Sequence, residues 1–343
     1  MPDHPKVFRV AKLKTIANAN GVKSSLQRSP LTPKDGLERD MPKLRRPVLT
    51  KHLAEPGKLA FRKPMLKKSR NVERELPEEE GFVSQRYTIL DVINDGGMGT
   101  VCRAWDTMLK MHVALKMLKP EIVRDQEAVA QLKAEAAVAM RLSHENIVRI
   151  HNIEEENGHI FIVMEYVEGQ TLRTILHQMG RLAKSAVLDI AHACKEALAY
   201  AHDLGVLHRD IKLDNLMINN EFRLKLLDFG IAVKISRGLN NAVLEGSPGY
   251  MSPEQLHGRP LDVRTDVFSF AVVLCELLTG VRAFPDIDDL QHMYDLKPRG
   301  IESIAEPVAS VLLQGMACDA NQRWRTVPEF YSAFEDALRP LIR

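Results

Sequence analysis

Residues 206–217 read VLHRDIKLDNLM, and this stretch carries most of the information about the fold. Its polar residues lie between apolar ones. The apolar residues can pack against a core and hold the segment in place, so that the charged side chains lie close to one another. Asp210 can accept a proton from a hydroxyl group. Asn215, five residues later, can ligate a metal ion. The tripeptide His-Arg-Asp alone is equally compatible with a charged surface loop, so the 206–217 segment needs partners elsewhere in the chain.

A second acidic residue follows at a spacing that suits a shared site. Asp228 ends the apolar part of the run LLDFG, residues 226–230, next to a glycine. A carboxylate in this setting suits a hard cation such as Mg²⁺. The 18 residues from Asp210 to Asp228 are enough for a hairpin of two strands. The two carboxylates are therefore predicted to flank one site.

Two upstream features are able to contact a nucleotide. Gly96, Gly97 and Gly99 lie in a turn between two strand-like runs, where backbone amides can approach phosphate groups. Such a turn is more often only a hairpin, and no Gly-Lys-Ser/Thr follows it, so it is not a Walker A loop. Lys116 lies within an apolar run and must find a partner for its charge. Glu135 could supply that partner.

The apolar pattern predicts two regions of different structure. From residue 87 strand-like runs surround one helix rich in Ala, Leu and Glu, whereas after Gly169 the spacing becomes helical. The predicted strands are 87–93, 100–105, 112–118, 146–153 and 159–166, and the predicted helices are 126–142, 186–202, 267–278, 308–316 and 327–338. This order indicates an α+β fold with a small, mainly antiparallel sheet followed by a helical region.

Residues 1–80 differ in composition from the rest of the chain. They hold nine of the 18 prolines, and 19 Lys and Arg against 10 Asp and Glu, whereas the remainder holds 28 basic and 35 acidic residues. This composition predicts a solvated, disordered tail. A basic tail could also contact a nucleic acid, another acidic partner or a membrane surface, or regulate the rest of the chain.

The bulk composition limits the class of protein. Apolar residues make up 45% of the chain and charged residues 27%, which is ordinary for a globular protein. The four cysteines lack metal-ligand spacing and are predicted to be reduced and largely buried. No run of 18 apolar residues predicts a transmembrane segment, and the first residues lack a secretory core, so a cytoplasmic location is expected.

In their order and spacing these motifs resemble those of the eukaryotic-like protein kinases. The resemblance covers residues 87–339, with an N-lobe at 87–167 and a C-lobe at 168–339, and GGMGTV, VMEYVEG and GSPGYMSPEQL are most similar to the bacterial Ser/Thr branch. It implies the bilobal kinase fold. It also implies transfer of the γ-phosphate of ATP, with Mg²⁺ or alternatively Mn²⁺, to Ser or Thr of protein substrates, including the chain itself. Lys212 and Ser247 favour Ser/Thr over Tyr as the acceptor.

The resemblance also implies roles for individual residues. Asp210 would be the catalytic base, Lys212 would stabilise the transferring phosphoryl group, and Lys116, oriented by Glu135, would bind the α- and β-phosphates. Asn215 and Asp228 would hold the metal. The nucleotide would contact Ile93, Asn94, Gly96, Gly97, Gly99, Val101, Ala114, Met164, Glu165, Val167 and Met217, with Met164 as gatekeeper and the backbone of Glu165 and Val167 at the adenine edge. Glu254 would pair with Arg323, and Asp266 would anchor the 206–217 segment.

Some positions depart from the family pattern. Asn94 replaces a glycine, which predicts a stiffer loop and weaker ATP binding. Ala271 replaces a glycine on a buried helix, and Trp324 stands where proline often follows Arg323; both are expected to be packing variations. Residues 231–249 contain no Thr or Tyr. Glu245 or phosphorylated Ser236 is therefore expected to replace the common activating phosphothreonine, unless no phosphate is needed.

The sequence leaves two other functions and one oligomeric state open. A pseudokinase that binds ATP as a scaffold would have the same fold, but its motif residues would usually be degraded, and here they are intact. A small-molecule kinase of related fold would usually lack the Met-Ser-Pro-Glu run at residues 251–254. The resemblance also leaves open a homodimer formed through the N-lobe.

Overall fold

The computed structural model of the protein describes residues 84–96, 99–229, 248–284 and 297–342. Its N-lobe contains a five-stranded antiparallel sheet with the strand order β1-β2-β3-β5-β4. The strands are β1 (Tyr87–Gly96), β2 (Gly99–Asp106), β3 (Met111–Leu118), β4 (Ile150–Glu156) and β5 (His159–Glu165). Two helices, α1 (Pro120–Val123) and α2 (Gln126–Ala139), connect β3 to β4. The Asp125 side chain caps α2 by accepting from the amides of Glu127 and Ala128.

The two faces of this sheet bury different residues because successive side chains of a strand point to opposite sides. Val113 and Leu115 of β3 pack with residues of β5 in one small cluster. Ala114 packs on the other face, in a second cluster that includes Leu132 of α2. Lys116 has the same parity as Ala114, so it points to the helix side of the sheet.

The C-lobe is mainly helical. Its helices are α3 (Leu172–Met179), α4 (Lys184–Asp203), α5 (Pro253–Leu256), α6 (Val263–Thr279), α7 (Glu306–Gly315) and α8 (Val327–Leu338). A small sheet of β6 (Gly169–Thr171), β7 (Leu216–Asn219) and β8 (Leu224–Leu226) lies beside them in the order β6-β7-β8. The hairpin of β7 and β8 is the one expected between Asp210 and Asp228. A 3₁₀ turn at Leu213–Asn215 precedes β7, and another spans Pro248–Tyr250.

Helix α6 is the centre of the C-lobe core, and every residue from Thr265 to Leu277 is buried. The side chain of Asp262 caps its start, and Gly280 ends it with a left-handed φ of 78°. A Cβ at Gly280 would lie 1.8 Å from the carbonyl oxygen of Gly180, so only glycine fits there.

The departures at Ala271 and Trp324 are packing variations, as expected. A Cβ at Gly315 of α7 would lie 2.8 Å from the Ala271 methyl group, so the missing side chain on α7 makes room for the alanine on α6. Trp324 packs against the main cluster, and its indole nitrogen donates to the Val311 carbonyl at 3.2 Å.

The structure differs from the sequence predictions in several places, including helix α3, where no helix was predicted. The strand predicted at 146–153 is wrong in its first part, because residues 146–148 pair with β8: the Val148 amide donates to the Leu226 carbonyl at 2.8 Å and the Leu226 amide to the Asn146 carbonyl at 2.7 Å. Helix α2 ends at Ala139 rather than at 142. Cys102, Cys194 and Cys275 are buried, but Cys318 is exposed, because it follows α7 in a surface loop.

Among the residues that the structure describes, no helix is both long enough and apolar enough to cross a membrane.

Candidate active site

The 206–217 segment brings three predicted site residues into direct contact. The Lys212 ammonium group donates to Oδ2 of Asp210 at 2.7 Å. The Asn215 amide nitrogen donates to the same oxygen and to the Asp210 carbonyl, each at 2.8 Å. Asn215 is buried, and the Asp210 carboxylate is only 16% exposed. The carboxylate is thus held in one orientation, with its neighbours supplying both a positive charge and an amide.

Asp266 of α6 fixes the backbone of this segment, as predicted. Its carboxylate is 0% exposed and accepts from the amides of His208 and Arg209, each at 2.8 Å. Nε2 of His202 lies 2.7 Å from the same carboxylate. Burial raises the pKa of Asp266, but the hydrogen bond and charge of His202 together with the Arg209 amide outweigh it and hold the pKa below its ordinary value.

Arg209 has an unusual backbone conformation, with a left-handed φ of 66°. This region costs a non-glycine residue on the order of 1 kcal/mol. The surrounding contacts hold it in place, since Asp266 binds the Arg209 amide and the Gln255 side chain donates to the Arg209 carbonyl at 2.7 Å. The strain therefore lies at the residue that precedes Asp210 and is offset by contacts from two other elements.

Asp228 and Lys116 form an ion pair that connects the two lobes, with Lys116 Nζ 3.1 Å from Asp228 Oδ1. Burial raises the pKa of Asp228, but the charge and hydrogen bond of Lys116, with a smaller contribution from Lys212, hold the pKa below its ordinary value. Asp228 is therefore an ionised carboxylate at neutral pH. It also has a left-handed φ, of 55°.

The Asp228 region lies next to Asn215. The Leu227 amide donates to the Asn215 carbonyl at 2.9 Å. Phe229 packs against the His208 ring, with centroids 4.5 Å apart, so the residues on either side of Asp228 are tied to the 206–217 segment. Burial lowers the pKa of His208, so its ring is neutral in this contact. Asp228 thus follows a residue that binds Asn215, whose side chain binds Asp210, and the prediction that the two carboxylates flank one site stays a prediction.

Glu135 lies on α2, where its carboxylate accepts from the Gln131 side chain at 3.2 Å. Lys116 forms an ion pair with Asp228. The predicted orientation of Lys116 by Glu135 stays a prediction.

Several of the predicted nucleotide residues lie on one face of the N-lobe sheet. Val101 pairs across the strands with Lys116, and Ala114 with Met164, so these four residues lie together on the face that carries Lys116. Ile93 is 51% exposed, and Met217 is on β7 of the C-lobe. The Glu165 amide already donates to the Arg149 carbonyl at 2.9 Å, so at that residue the carbonyl is the group that could bind an adenine edge.

The turn between β1 and β2 is only partly described. Gly96 pairs with Gly99, and a Cβ at Gly99 would lie 1.9 Å from the Met117 carbonyl oxygen, which requires glycine there. Asn94 pairs with Val101. Gly97 lies outside the described residues, as do Ser236, Glu245 and Ser247, so the predictions for these residues stay predictions.

The predicted pair of Glu254 and Arg323 is confirmed. Two guanidinium nitrogens of Arg323 donate to the two carboxylate oxygens of Glu254 at 2.7 and 2.8 Å. The Arg323 side chain is 0% exposed and also donates to the carbonyls of Ala317, Arg264 and Cys318. Burial raises the pKa of Glu254, but Arg323 outweighs it, so the carboxylate is ionised. This pair joins α5 to the segment before α8.

Sequence reasoning missed two residues that support the site, His202 and Gln255. His202 lies at the end of α4 and contacts Asp266, while Gln255 on α5 binds the Arg209 carbonyl. Neither shows a local signal, because its partner lies 64 or 46 residues away in the chain.

Comparison with known proteins agrees with this architecture. The sequence matches the family profile described as Protein kinase domain over residues 87–334. The structure superposes on the kinase domain of Mycobacterium tuberculosis PknI with a TM-score of 0.63 and 28% identity, covering 75% of this chain and 97% of that one. A sheet-containing lobe, a helical lobe and an Asp-Lys-Asn cluster define the bilobal kinase class. This chain belongs to the protein kinase domain family.

Several bacterial proteins are similar to this chain in sequence. It is 36% identical over 265 residues to serine/threonine-protein kinase PrkC of Bacillus subtilis, covering 74% of this chain and 41% of that protein. It is 36% identical over 263 residues to serine/threonine-protein kinase PknB of Mycobacterium tuberculosis, covering 72% and 42%. A probable serine/threonine-protein kinase of Clostridium acetobutylicum is 41% identical over 201 residues, covering 58% and 30%. The chain thus spans less than half the length of these curated relatives.

Proposed function

We propose that this protein is a serine/threonine protein kinase that transfers the γ-phosphate of ATP to Ser or Thr hydroxyl groups of protein substrates. The observation that carries the proposal is the contact of Asp210 with Lys212 and Asn215, next to the ion pair of Lys116 and Asp228. Phosphoryl transfer asks mainly for positioning and charge neutralisation, and these groups supply both. The names of the relatives support Ser/Thr as the acceptor class.

These residues can support transfer of the γ-phosphoryl group in one step. The acceptor hydroxyl oxygen forms a bond to the γ-phosphorus as the bond from that phosphorus to the β,γ-bridging oxygen breaks, and ADP leaves. Asp210 orients the hydroxyl and takes its proton. Lys212 stabilises the negative charge on the transferring group, and Lys116 binds the α- and β-phosphates. Val101, Ala114, Met164 and Met217 pack around the adenine.

Asn215 and Asp228 fit a hard divalent metal. Asn215 directs its amide nitrogen at Asp210, which leaves its carbonyl oxygen for a metal, and Asp228 supplies an ionised carboxylate. Within the described ranges no three His, Cys, Asp or Glu side chains form a metal-binding group, so this pair would hold Mg²⁺ together with phosphate oxygens. Bound Mg²⁺ would neutralise part of the phosphate charge.

A transfer assay with matched variants tests the proposal. The purified chain is incubated with Mg²⁺, γ-labelled ATP and a mixture of Ser- and Thr-containing peptides, beside Asp210→Asn and Lys116→Met variants. We expect labelling of Ser and Thr, and a loss of about 10³-fold for Asp210→Asn, because a general base contributes about that much. Nucleotide binding is measured in parallel. A wild-type chain that binds Mg-ATP but transfers no phosphate would overturn the proposal in favour of an ATP-binding scaffold.

A further inference from the structure

Arg173, in the first turn of α3, contacts three other elements through one guanidinium group. Its Nε and Nη2 each lie 3.3 Å from Oδ2 of Asp214. Nη2 also donates to the Tyr250 hydroxyl at 2.6 Å, and Nη1 lies 3.6 Å from Oε2 of Glu276 on α6. A single side chain therefore joins α3, the 3₁₀ turn at Leu213–Asn215, the Pro248–Tyr250 turn and α6.

The contacts combine burial with charge. Glu276 is 1% exposed and Tyr250 3% exposed, whereas the side chains of Arg173 and Asp214 are 35% and 47% exposed. The Tyr250 hydroxyl donates to Glu276 at 2.5 Å and the Ala283 amide at 3.1 Å. Burial raises the pKa of Glu276, and these donors and Arg173 oppose that effect. Arg173 is the cation that touches both carboxylates, one buried and one near the surface.

The position of Asp214 links this group to the reaction. Asp214 immediately precedes Asn215, whose side chain holds the Asp210 carboxylate at 2.8 Å. Tyr250 is fixed in turn, because the Ser269 hydroxyl of α6 donates to its carbonyl at 2.7 Å. The guanidinium thus clamps the turn that carries Asn215 against a segment that α6 already holds. A planar guanidinium group suits such a junction, since its N–H groups can donate hydrogen bonds to several acceptors in fixed directions.

We propose that Arg173 is a positioning residue for phosphoryl transfer: through Asp214 it sets the place of Asn215, and through Tyr250 and Glu276 it ties that turn to α6. The inference rests on the proposed function, in which Asn215 ligates Mg²⁺ beside Asp210. The described contacts of the Arg173 guanidinium are with protein side chains, those of Asp214, Tyr250 and Glu276.

Steady-state kinetics of Arg173→Ala and Arg173→Lys test this role. We expect Arg173→Ala to lower kcat by about 10- to 100-fold, because small displacements of a reacting group have effects of this size. The KM for ATP should change by less than about twofold, since Lys116 and the adenine pocket are untouched. The Mg²⁺ concentration for half-maximal activity should rise severalfold. A merely structural role would not move that value.

Partial rescue separates positioning from loss of fold. Arg173→Lys should have a higher kcat than Arg173→Ala but a lower one than the wild type, because lysine keeps the positive charge and lacks the planar guanidinium group. Millimolar guanidinium ion added to Arg173→Ala should also restore part of kcat. Asp214→Asn should also lower kcat. The double variant with Arg173→Ala and Asp214→Asn should have a kcat no lower than that of Arg173→Ala alone, because the two residues act through the same contact. Arg339→Ala, at an exposed arginine that directly follows α8, is the matched control and should leave kcat unchanged.

The outcomes distinguish this inference from the function on which it rests. If the wild-type chain is active and Asp210→Asn is inactive, but Arg173→Ala keeps wild-type kcat and Mg²⁺ dependence, the positioning role is wrong and the function stands. If Arg173→Ala does not fold, Arg173→Lys and Asp214→Asn decide, since both preserve side-chain size. An unchanged Mg²⁺ dependence in both overturns the inference. A wild-type chain without transferase activity removes the function and the inference together.

Discussion

Asp266 and Lys116 are both buried charged residues of the site, but their surroundings differ. Asp266 is 0% exposed and receives donors from His202, His208 and Arg209, all within the C-lobe. Lys116 is 8% exposed, and its recorded ion-pair partner, Asp228, belongs to the opposite lobe. The C-lobe part of the site is therefore fixed by its own core, whereas the N-lobe part depends on a contact across the cleft. This difference predicts that changes in the C-lobe cost more stability than changes in the N-lobe.

The cores show the same contrast. The C-lobe has one continuous cluster around α6, while the N-lobe has two smaller clusters on the faces of its sheet. A large, close-packed core relaxes little when a side chain is removed, so a cavity there is costly. A thin layer between sheet and helix can collapse more readily.

The largest expected effect compares one core residue from each lobe. Phe330→Ala should cost about 4 kcal/mol of unfolding free energy and Leu132→Ala about 2–3 kcal/mol, because Phe330 is larger and lies against Phe270 and Phe334 in the continuous core. Urea unfolding measures both. Leu313→Ala on α7 and Val138→Ala on α2 are exposed controls and should change little. Equal costs for the two core variants would contradict the contrast between the lobes.

Asp266→Asn should have the next largest effect and lower the free energy of unfolding by on the order of 3 kcal/mol. The substitution removes a buried charge to which His202 and two backbone amides are hydrogen-bonded. Activity should also fall, since the backbone before Asp210 loses its support. Asp336→Asn on the exposed side of α8 is the control. Thermal and urea unfolding at neutral pH measure the change. Wild-type stability in Asp266→Asn would show that the other contacts of the 206–217 segment suffice.

Lowering the pH should reduce the stability of the protein by a smaller amount. The pKa values of Asp228, Glu254 and Asp266 all lie below their ordinary values of 3.8 and 4.5 in the folded state. Their contribution to stability is therefore complete above those ordinary values and is lost as the pH falls through the folded pKa values. The urea midpoint should depend little on these groups between pH 7 and pH 5 and fall below about pH 4. In Asp266→Asn this acid dependence should be shallower than in the wild type. An equally steep loss would show that other carboxylates dominate.

The smallest effect should come from the surface of the N-lobe. Lys133 and Glu155 form an ion pair at 3.2 Å, with side chains 49% and 61% exposed. Solvent screening makes such pairs weak, so Lys133→Ala should change stability by less than about 0.5 kcal/mol. The midpoint in urea, measured at low and high salt, checks this value. A loss as large as that of Leu132→Ala would mean that α2 depends on surface charge as much as on its core.

Local pattern was enough for much of the fold. Strands β1 to β3 and β5 were predicted from strand-like runs and α6 from an almost wholly apolar run, since buried elements need apolar residues. Helix α4 follows helical spacing, because burying one face of a helix imposes a period on its sequence. Helix α3 was missed because it is short. The first part of the 146–153 prediction failed for a different reason: residues 146–148 are strand-like, but they pair with β8, and a pairing partner is not encoded locally.

The sequence by itself determined the family-type motifs and predicted Asp210, Lys212, Asn215 and Asp228 as site residues. Through the family resemblance it also predicted the pairs of Glu254 with Arg323 and of Asp266 with the 206–217 segment. These depend on residue type and order. Only the tertiary structure decided that Lys116 pairs with Asp228, that Gln255 and His202 support the strained backbone before Asp210, and that Arg173 joins Asp214 to Tyr250 and Glu276. The physical reason is that each of these contacts joins segments far apart in the chain. Which partner a buried charge finds depends on how the packed elements meet.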